Sequence, residues 1–222
     1  MRAYARDTET KWHDNYKEFP LDTKTNALTG VNFTFTAEPG VTNVLSSVSQ
    51  GTTATERIGN VVALQSLRCA FVLEAARVSY PGEVSPDTVY LRTAIRLAVV
   101  RDLQVNNSLN YIQYSDVFQN TGASPTSEIM VSAPRNIANM GRFQVLYDQT
   151  YNLDADDPQL SFIKTINLGD KHLRYNGPAA EALQDKGLYV VMCARLEGLS
   201  TLPTVLVRPY VGVSTRLAFK DA

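Results

Sequence analysis

Apolar residues recur at every second position along most of the chain, the spacing of strands with one dry and one wet face. The pattern opens with Val31-Asn32-Phe33-Thr34-Phe35-Thr36, turns at Pro39-Gly40, and continues as a second strand from Val41 to Val48. Over Val61 to Ala76, the residues Val61, Ala63, Leu67, Cys69, Phe71, Leu73 and Ala75 share one face, with Gln65 the exception, and Ser66, Arg68 and Glu74 take the other. Pro81-Gly82 breaks the chain. The next strand sets Val89, Leu91, Ile95, Leu97 and Val99 inward, and Tyr90, Arg92, Arg96 and Asp102 outward.

From Asn106 to Arg142 the alternation weakens into loop, with a short strand at about Tyr111 to Phe118 and one helical turn near Asn136. It resumes at Phe143, Val145, Tyr147, Tyr151 and Leu153, then at Leu160, Phe162, Ile166 and Leu168. Pro178 to Gly187 carries proline near its start, helix formers within and glycine at its end, which predicts a helix of about two turns. Leu188 to Leu196 is apolar on both faces, as a central strand would be. In the last strand, Val205 to Phe219, Arg208, Tyr210 and Arg216 share the outer face. Roughly eight main strands, an extra one at the start and scarcely any helix predict an all-β antiparallel sandwich. No repeat or composition shift marks a second domain.

Composition changes this picture little until the N-terminus. A chain of 222 residues with 44% hydrophobic and 19% charged residues can bury a core unaided. Residues 1–24 differ: Arg2, Arg6, Lys11, Lys17 and Lys24 balance Asp7, Glu9, Asp14, Glu18 and Asp22, with Trp12 as the one large anchor. Such a stretch reads as a polar arm that drapes on a neighbour or stays loose, with residues 25–222 as one sandwich domain. A net charge of -1 lacks the strongly basic balance of a dedicated nucleic-acid binder. No apolar run approaches a membrane span, so no membrane insertion is expected, and no secretory signal opens the chain. Cys69 and Cys193 lie in apolar segments as buried free thiols, a strand-to-strand bridge being the alternative.

The chemistry-bearing motifs of hydrolases, zincins and nucleotide-binding loops are absent, and the two histidines, His13 and His172, stand far apart in sequence. Asp154, Asp156 and Asp157 before Pro158 make either a plain turn or an oxygen-rich calcium site; no other cofactor is expected. If the strands carrying Arg92 and Arg96 and those carrying Arg208 and Arg216 are neighbours, these four form an arginine ladder flanked by Tyr90 and Tyr210. With Arg68, they are the candidates for phosphate contact or for a protein interface, the bland reading being a solvated sheet face.

Gln50-Gly51-Thr52-Thr53 followed by Arg57-Ile58-Gly59-Asn60, leading into an alternating strand, resembles a segment of the jelly-roll capsid proteins of small circular Rep-encoding single-stranded DNA viruses. Those proteins are in turn similar to the satellite tobacco necrosis virus capsid protein. Arg92 to Asp102 resembles the family's strand D ending in aspartate, and Gly141-Arg142-Phe143-Gln144-Val145-Leu146-Tyr147-Asp148 its strand F opening. The resemblance covers residues 30 to 219 and implies a jelly roll of eight strands in two sheets, BIDG and CHEF. It implies a non-enzymatic coat subunit, a homo-oligomeric T=1 icosahedral shell of roughly 60 copies, packaged single-stranded nucleic acid and a host receptor as partners. Virion location, with the host nucleus during assembly, follows from the same resemblance. It places Gly51, Arg57 and Gly59 in a loop near subunit contacts. The arginine-rich arm usual in such proteins is missing from the charge-balanced first residues. A lectin-like or cytokine-like binding module is the alternative reading.

Overall fold

Alternation closes the chain into two facing antiparallel sheets. The computed structural model describes residues 9–26, 30–34, 42–79, 88–105, 111–119, 131–180, 182–197 and 206–222. The strands are β1 (Lys11–Pro20), β2 (Asp22–Asn26), β3 (Gly30–Thr34), β4 (Val61–Glu74), β5 (Arg77–Ser79), β6 (Thr88–Tyr90), β7 (Thr93–Asp102), β8 (Phe143–Leu153), β9 (Gln159–Tyr175), β10 (Leu183–Asp185), β11 (Gly187–Leu196), β12 (Leu206–Val207) and β13 (Tyr210–Asp221). One sheet runs β1-β13-β4-β9-β10, the other β2-β3-β11-β7-β8, and a small third sheet runs β12-β5-β6. Lettering the principal strands in chain order makes β1 strand B, β3 C, β4 D, β7 E, β8 F, β9 G, β11 H and β13 I. The two sheets then read B-I-D-G and C-H-E-F, the jelly-roll order.

Two expectations move by one strand. Lys11–Pro20 does not stand apart as an arm; all ten of its residues pair with β13, from Lys11↔Phe219 to Pro20↔Tyr210, so the sandwich begins before residue 25. Counting it as strand B makes Thr93–Asp102 strand E, not D, and puts it in the opposite sheet from β13. The stretch was hard to read because its inner row, Lys11, His13, Asn15 and Lys17, is polar up to Phe19. Lys11 donates to the Glu56 carbonyl at 2.9 Å, Asn15 to Ser47 Oγ at 3.2 Å and Lys17 to Thr42 Oγ1 at 3.0 Å, so polar bonds to the 42–56 connection replace the usual apolar inner row.

The inner faces carry the core. Leu64, Leu67, Phe71 and Leu73 of β4, Ile95, Leu97 and Val99 of β7, and Val211, Val213, Leu217 and Phe219 of β13 are all buried. Each such side chain contributes about 1.5–3 kcal/mol of burial. Gln65 is a β-bulge: pairing jumps from Leu64 to Ser66 against both β9 and β13. An extra residue reverses the parity before it. Val62 and Leu64, not Val61 and Ala63, therefore face the core.

Three predicted elements change. Pro178 to Gly187 forms a turn and β10, because Leu183 pairs with Tyr175 and Asp185 with Arg174. Ten residues are too few to hold a helix against such pairing. Of the predicted strand Val41 to Val48, Val41 lies outside the described residues and the rest is no regular strand; Val44 forms a bridge to Tyr189, and Leu45 donates to the Leu188 carbonyl. It continues the line of β3 along β11. Tyr111 to Phe118 holds one helical turn, α1 (Tyr114–Val117), and the turn near Asn136 is a 3-10 turn over Ile137–Asn139, capped by the Asn136 side chain. Phe35, Thr36, the Pro39-Gly40 and Pro81-Gly82 turns and Val205 lie outside the described residues.

Both thiols are free and buried. Cys69 faces the core, where burial pushes its pKa up to about 12. Cys193 sits on the outer face of its sheet, directly across from Arg96, and burial pushes its thiol up too. A sheet separates them, so no bridge forms.

Arg101, at the end of β7, is 3% exposed. It donates to Gln144 Oε1 at 3.1 Å and to the Leu168 carbonyl at 3.4 Å, and its Nε has no partner among the described residues. Burial pulls its pKa down. A cation buried with so few acceptors costs more than it returns. Arg101→Met is expected to raise stability by about 1–3 kcal/mol, read as a higher urea midpoint at unchanged slope. A lower midpoint would show that the guanidinium holds the fold.

Candidate assembly surfaces

The segment from Ser49 to Asn60 is a closed loop. Gly51 donates to the Arg57 carbonyl at 2.9 Å, Arg57 to the Ser49 carbonyl at 3.0 Å, and the Thr53 amide to the Glu56 carboxylate at 3.1 Å. That last bond holds the Glu56 pKa below its usual value. A Cβ at Gly51 would meet the Glu56 carboxylate at 2.1 Å and push it aside from the Thr53 amide.

Inside the loop Arg57 is fully buried. Its Nε donates to the Val48 carbonyl at 3.0 Å. Its Nη1 donates to the Gly59 carbonyl at 2.6 Å and Asn60 Oδ1 at 3.2 Å, and its Nη2 to the Gly177 carbonyl at 2.5 Å. The guanidinium stacks 3.9 Å from the Tyr175 ring centroid, and the Tyr175 hydroxyl donates to the Ser46 carbonyl. Burial pulls the Arg57 pKa down against the opposing pull of Tyr175 and Asp221. Arg57 is thus an internal clamp. What the loop presents outward is Thr52 to Thr55 and the 61% exposed Ile58.

The arginines do not form the expected ladder. Arg92 and Arg96 belong to the C-H-E-F side and Arg208 and Arg216 to the other, because β7 pairs with β11 and β8, not with β13. Arg92 pairs with Glu197 at 3.2 Å, and Tyr90 lies in the small third sheet. Arg208 is exposed beside Pro209. Arg96 lies under the 131–133 segment: its Nη1 donates to the Val131 and Ala133 carbonyls at 3.1 and 2.5 Å, and its Nε and Nη2 to both Asp148 oxygens at 2.8 and 2.7 Å. Burial pulls its pKa down, but Asp148 and Tyr114 hold it above its ordinary value.

A different set converges on the outer face of the B-I-D-G sheet. Register aligns Asp14, Arg216, Arg68 and Thr165 in one row across four strands. Adjacent rows hold Tyr16, Ser214, Ala70 and Ile163, then Glu18, Gly212, Val72 and Ser161. Arg216 forms a two-pronged bond to Asp14 at 2.7 and 2.6 Å, which holds the Asp14 pKa low and the Arg216 pKa high. Arg68 beside it has no ion pair among the described residues and is exposed. The Tyr16 hydroxyl bonds to Glu18 at 2.8 Å and meets the Tyr210 hydroxyl at 2.9 Å. Burial and these neighbours raise the Tyr210 pKa. Trp12, Tyr16, Val72 and Ile163 are 50, 59, 44 and 57% exposed, and all four stand on this one face.

Asp154 makes its turn through its own carboxylate, which accepts from the Asp156 and Asp157 amides at 3.0 and 3.1 Å. Those bonds hold its pKa low. No group of three His, Cys, Asp or Glu side chains converges on a metal-sized site among the described residues. His13 meets the Thr55 carbonyl at 3.3 Å, and His172 lies on β9.

No family model and no curated protein matches the chain. Among solved structures it is similar to the VP1 pentamer of human polyomavirus 7, at 12% identity and a TM-score of 0.29, over 97% of this chain and 95% of that one. The VP1 pentamer of human polyomavirus 6 aligns at 9% identity and a TM-score of 0.29, over 99% of this chain and 97% of that one. With TM-scores this low, the fold rests on the chain's own strand pairings.

Proposed function

We propose that this protein is the coat subunit of a small virus, self-assembling without covalent chemistry into an icosahedral shell around a single-stranded nucleic acid, DNA in our reading. The motif order set out under the sequence supports it, and so does the B-I-D-G and C-H-E-F strand order. Fold alone does not give function. The observation that carries the reading is the outer B-I-D-G face, where Val72 and Ile163 stand exposed on neighbouring strands, with Tyr16 and Trp12 exposed farther along the same face among charged residues. Repeated contacts between copies would bury these side chains and pair the charges between them. Among the described residues the sandwich also ends in long edges: β8 has no strand beyond it, and β9 has only the three-residue β10. Open edges invite another chain.

Light scattering and electron micrographs of purified protein across salt and pH test this directly, with closed particles expected. Protein that stays monomeric in every condition would overturn it.

Genome contact is a separate matter. On the outer B-I-D-G face, Asp14 neutralises Arg216, so Arg68 is the cation left over in its row. Arg68→Gln is expected to lower the log–log salt slope of single-strand binding by about 0.7, one phosphate's worth. An unchanged slope would remove this face from the nucleic acid.

A further inference from the structure

The outer face of the C-H-E-F sheet holds an arginine without a partner among the described residues. Arg195 of β11 lies opposite Ala94 of β7, whose other neighbour is Asn152 of β8. Ala94 is too small to fill the space between them. A hollow of about 220 Å³ remains over it, walled by Ser132, Thr150, Asn152, Arg195 and Glu197. A second hollow of about 390 Å³ shares Ser132 and Thr150 with the first and extends it past Asp148 and Gln149.

The charges around this groove do not balance. Glu197 pairs with Arg92 at 3.2 Å and Asp148 with Arg96 at 2.7 Å. Arg195 has neither hydrogen bond nor ion pair among the described residues, and its Nε is buried without an acceptor. A buried donor left unmade costs about 1–3 kcal/mol, and a guanidinium recovers most from a planar carboxylate that takes two of its N–H groups at once. Among the described residues, three arginines against two carboxylates leave one positive charge unmatched.

We infer that this groove binds a small hydroxylated carboxylate, an acidic sugar in chemical class. The carboxylate would take the two Nη groups of Arg195, since its Nε is closed to solvent. The ring hydroxyls would meet the Ser132 and Thr150 hydroxyls, the Asn152 amide and the paired carboxylates of Glu197 and Asp148. Those two carboxylates accept from hydroxyls but repel a dianion, which disfavours phosphate. No aromatic ring among the described residues lines either hollow, so none of them offers a stacked base a platform. The site lies within one subunit and holds whether or not copies assemble.

Titration of the intact protein with glucuronate, followed through the Arg195 Nε–H and Asn152 amide resonances, tests it. Saturable shifts are expected with glucuronate and none with glucose. Arg195→Gln should weaken binding by about tenfold or more at an unchanged melting temperature. Should that variant fail to fold, Arg195→Lys keeps the charge without the fork and is expected to lose most of the affinity. Absence of a saturable shift, equal shifts with glucose, full affinity in a folded Arg195 variant, or binding of inorganic phosphate in preference to glucuronate would each overturn the assignment.

Discussion

Arg57→Met is expected to lower the unfolding free energy by about 3–5 kcal/mol and the melting temperature by on the order of 10 °C. The case turns on which of two opposed terms is larger. Removing a buried cation relieves its desolvation, and where the cation is badly served the protein gains, as expected at Arg101. At Arg57 the acceptors decide. Methionine would leave the carbonyls of Val48, Gly59 and Gly177 and the Asn60 amide oxygen without their donor, and would strip the cation from the face of Tyr175. The Val48 carbonyl is buried and costs about 1–3 kcal/mol when orphaned; the half-buried glycine carbonyls cost part of that, and together with the lost stacking they outweigh the relief. Arg57→Lys should recover only a minor part, because an ammonium has three donors, no plane to stack and no fork.

Melting curves of the two variants beside Arg101→Met separate the terms. Two buried arginines, both without a bonded carboxylate, should move stability in opposite directions. If Arg57→Met melts with the parent protein, the loop is held by its rim instead. That rim is the Gln50 amide on the Ile58 carbonyl at 2.7 Å and the Ile58 amide on Asp221 at 2.9 Å.

What was legible in the sequence divides along physical lines. Strands with one apolar face, such as Ile95, Leu97 and Val99 or Val211, Val213 and Leu217, show themselves because burial imposes a period of two. Lys11–Pro20 hid because its inner row satisfies itself by hydrogen bonds, a device that leaves no hydrophobic signature. That one omission shifted the strand count and with it the arginine ladder, since adjacency in a sheet depends on counting every strand. The parity slip at Gln65 is the sequence trace of a bulge, visible in retrospect as the single polar residue in an apolar row. Arg57 stood out as part of a motif. Its burial did not, because nothing local tells a solvated arginine from one enclosed by carbonyls 120 residues away. The Arg195 groove had no local signal, being assembled from β7, β8, β11 and the 131–133 segment.

Arg96→Leu is expected to cost about 2–4 kcal/mol and to act on one part of the molecule only. Its guanidinium joins three things that no apolar side chain can join: the Asp148 carboxylate on β8, the Val131 and Ala133 carbonyls, and the Phe118 ring, 3.8 Å away. Leucine would keep contact with Phe118 and lose the rest. The 131–140 segment should then come away from the sheet while the sandwich core, which Arg96 does not enter, stays folded. Limited proteolysis would show new cleavage within 131–140 with far-UV circular dichroism unchanged. Asp148→Asn, which spares both carbonyl bonds, should cost less and leave the segment protected. Equal sensitivity of the two variants would mean that the ion pair, not the carbonyl bonds, fastens the segment, and cleavage spread over the whole chain would make Arg96 a core residue in all but position.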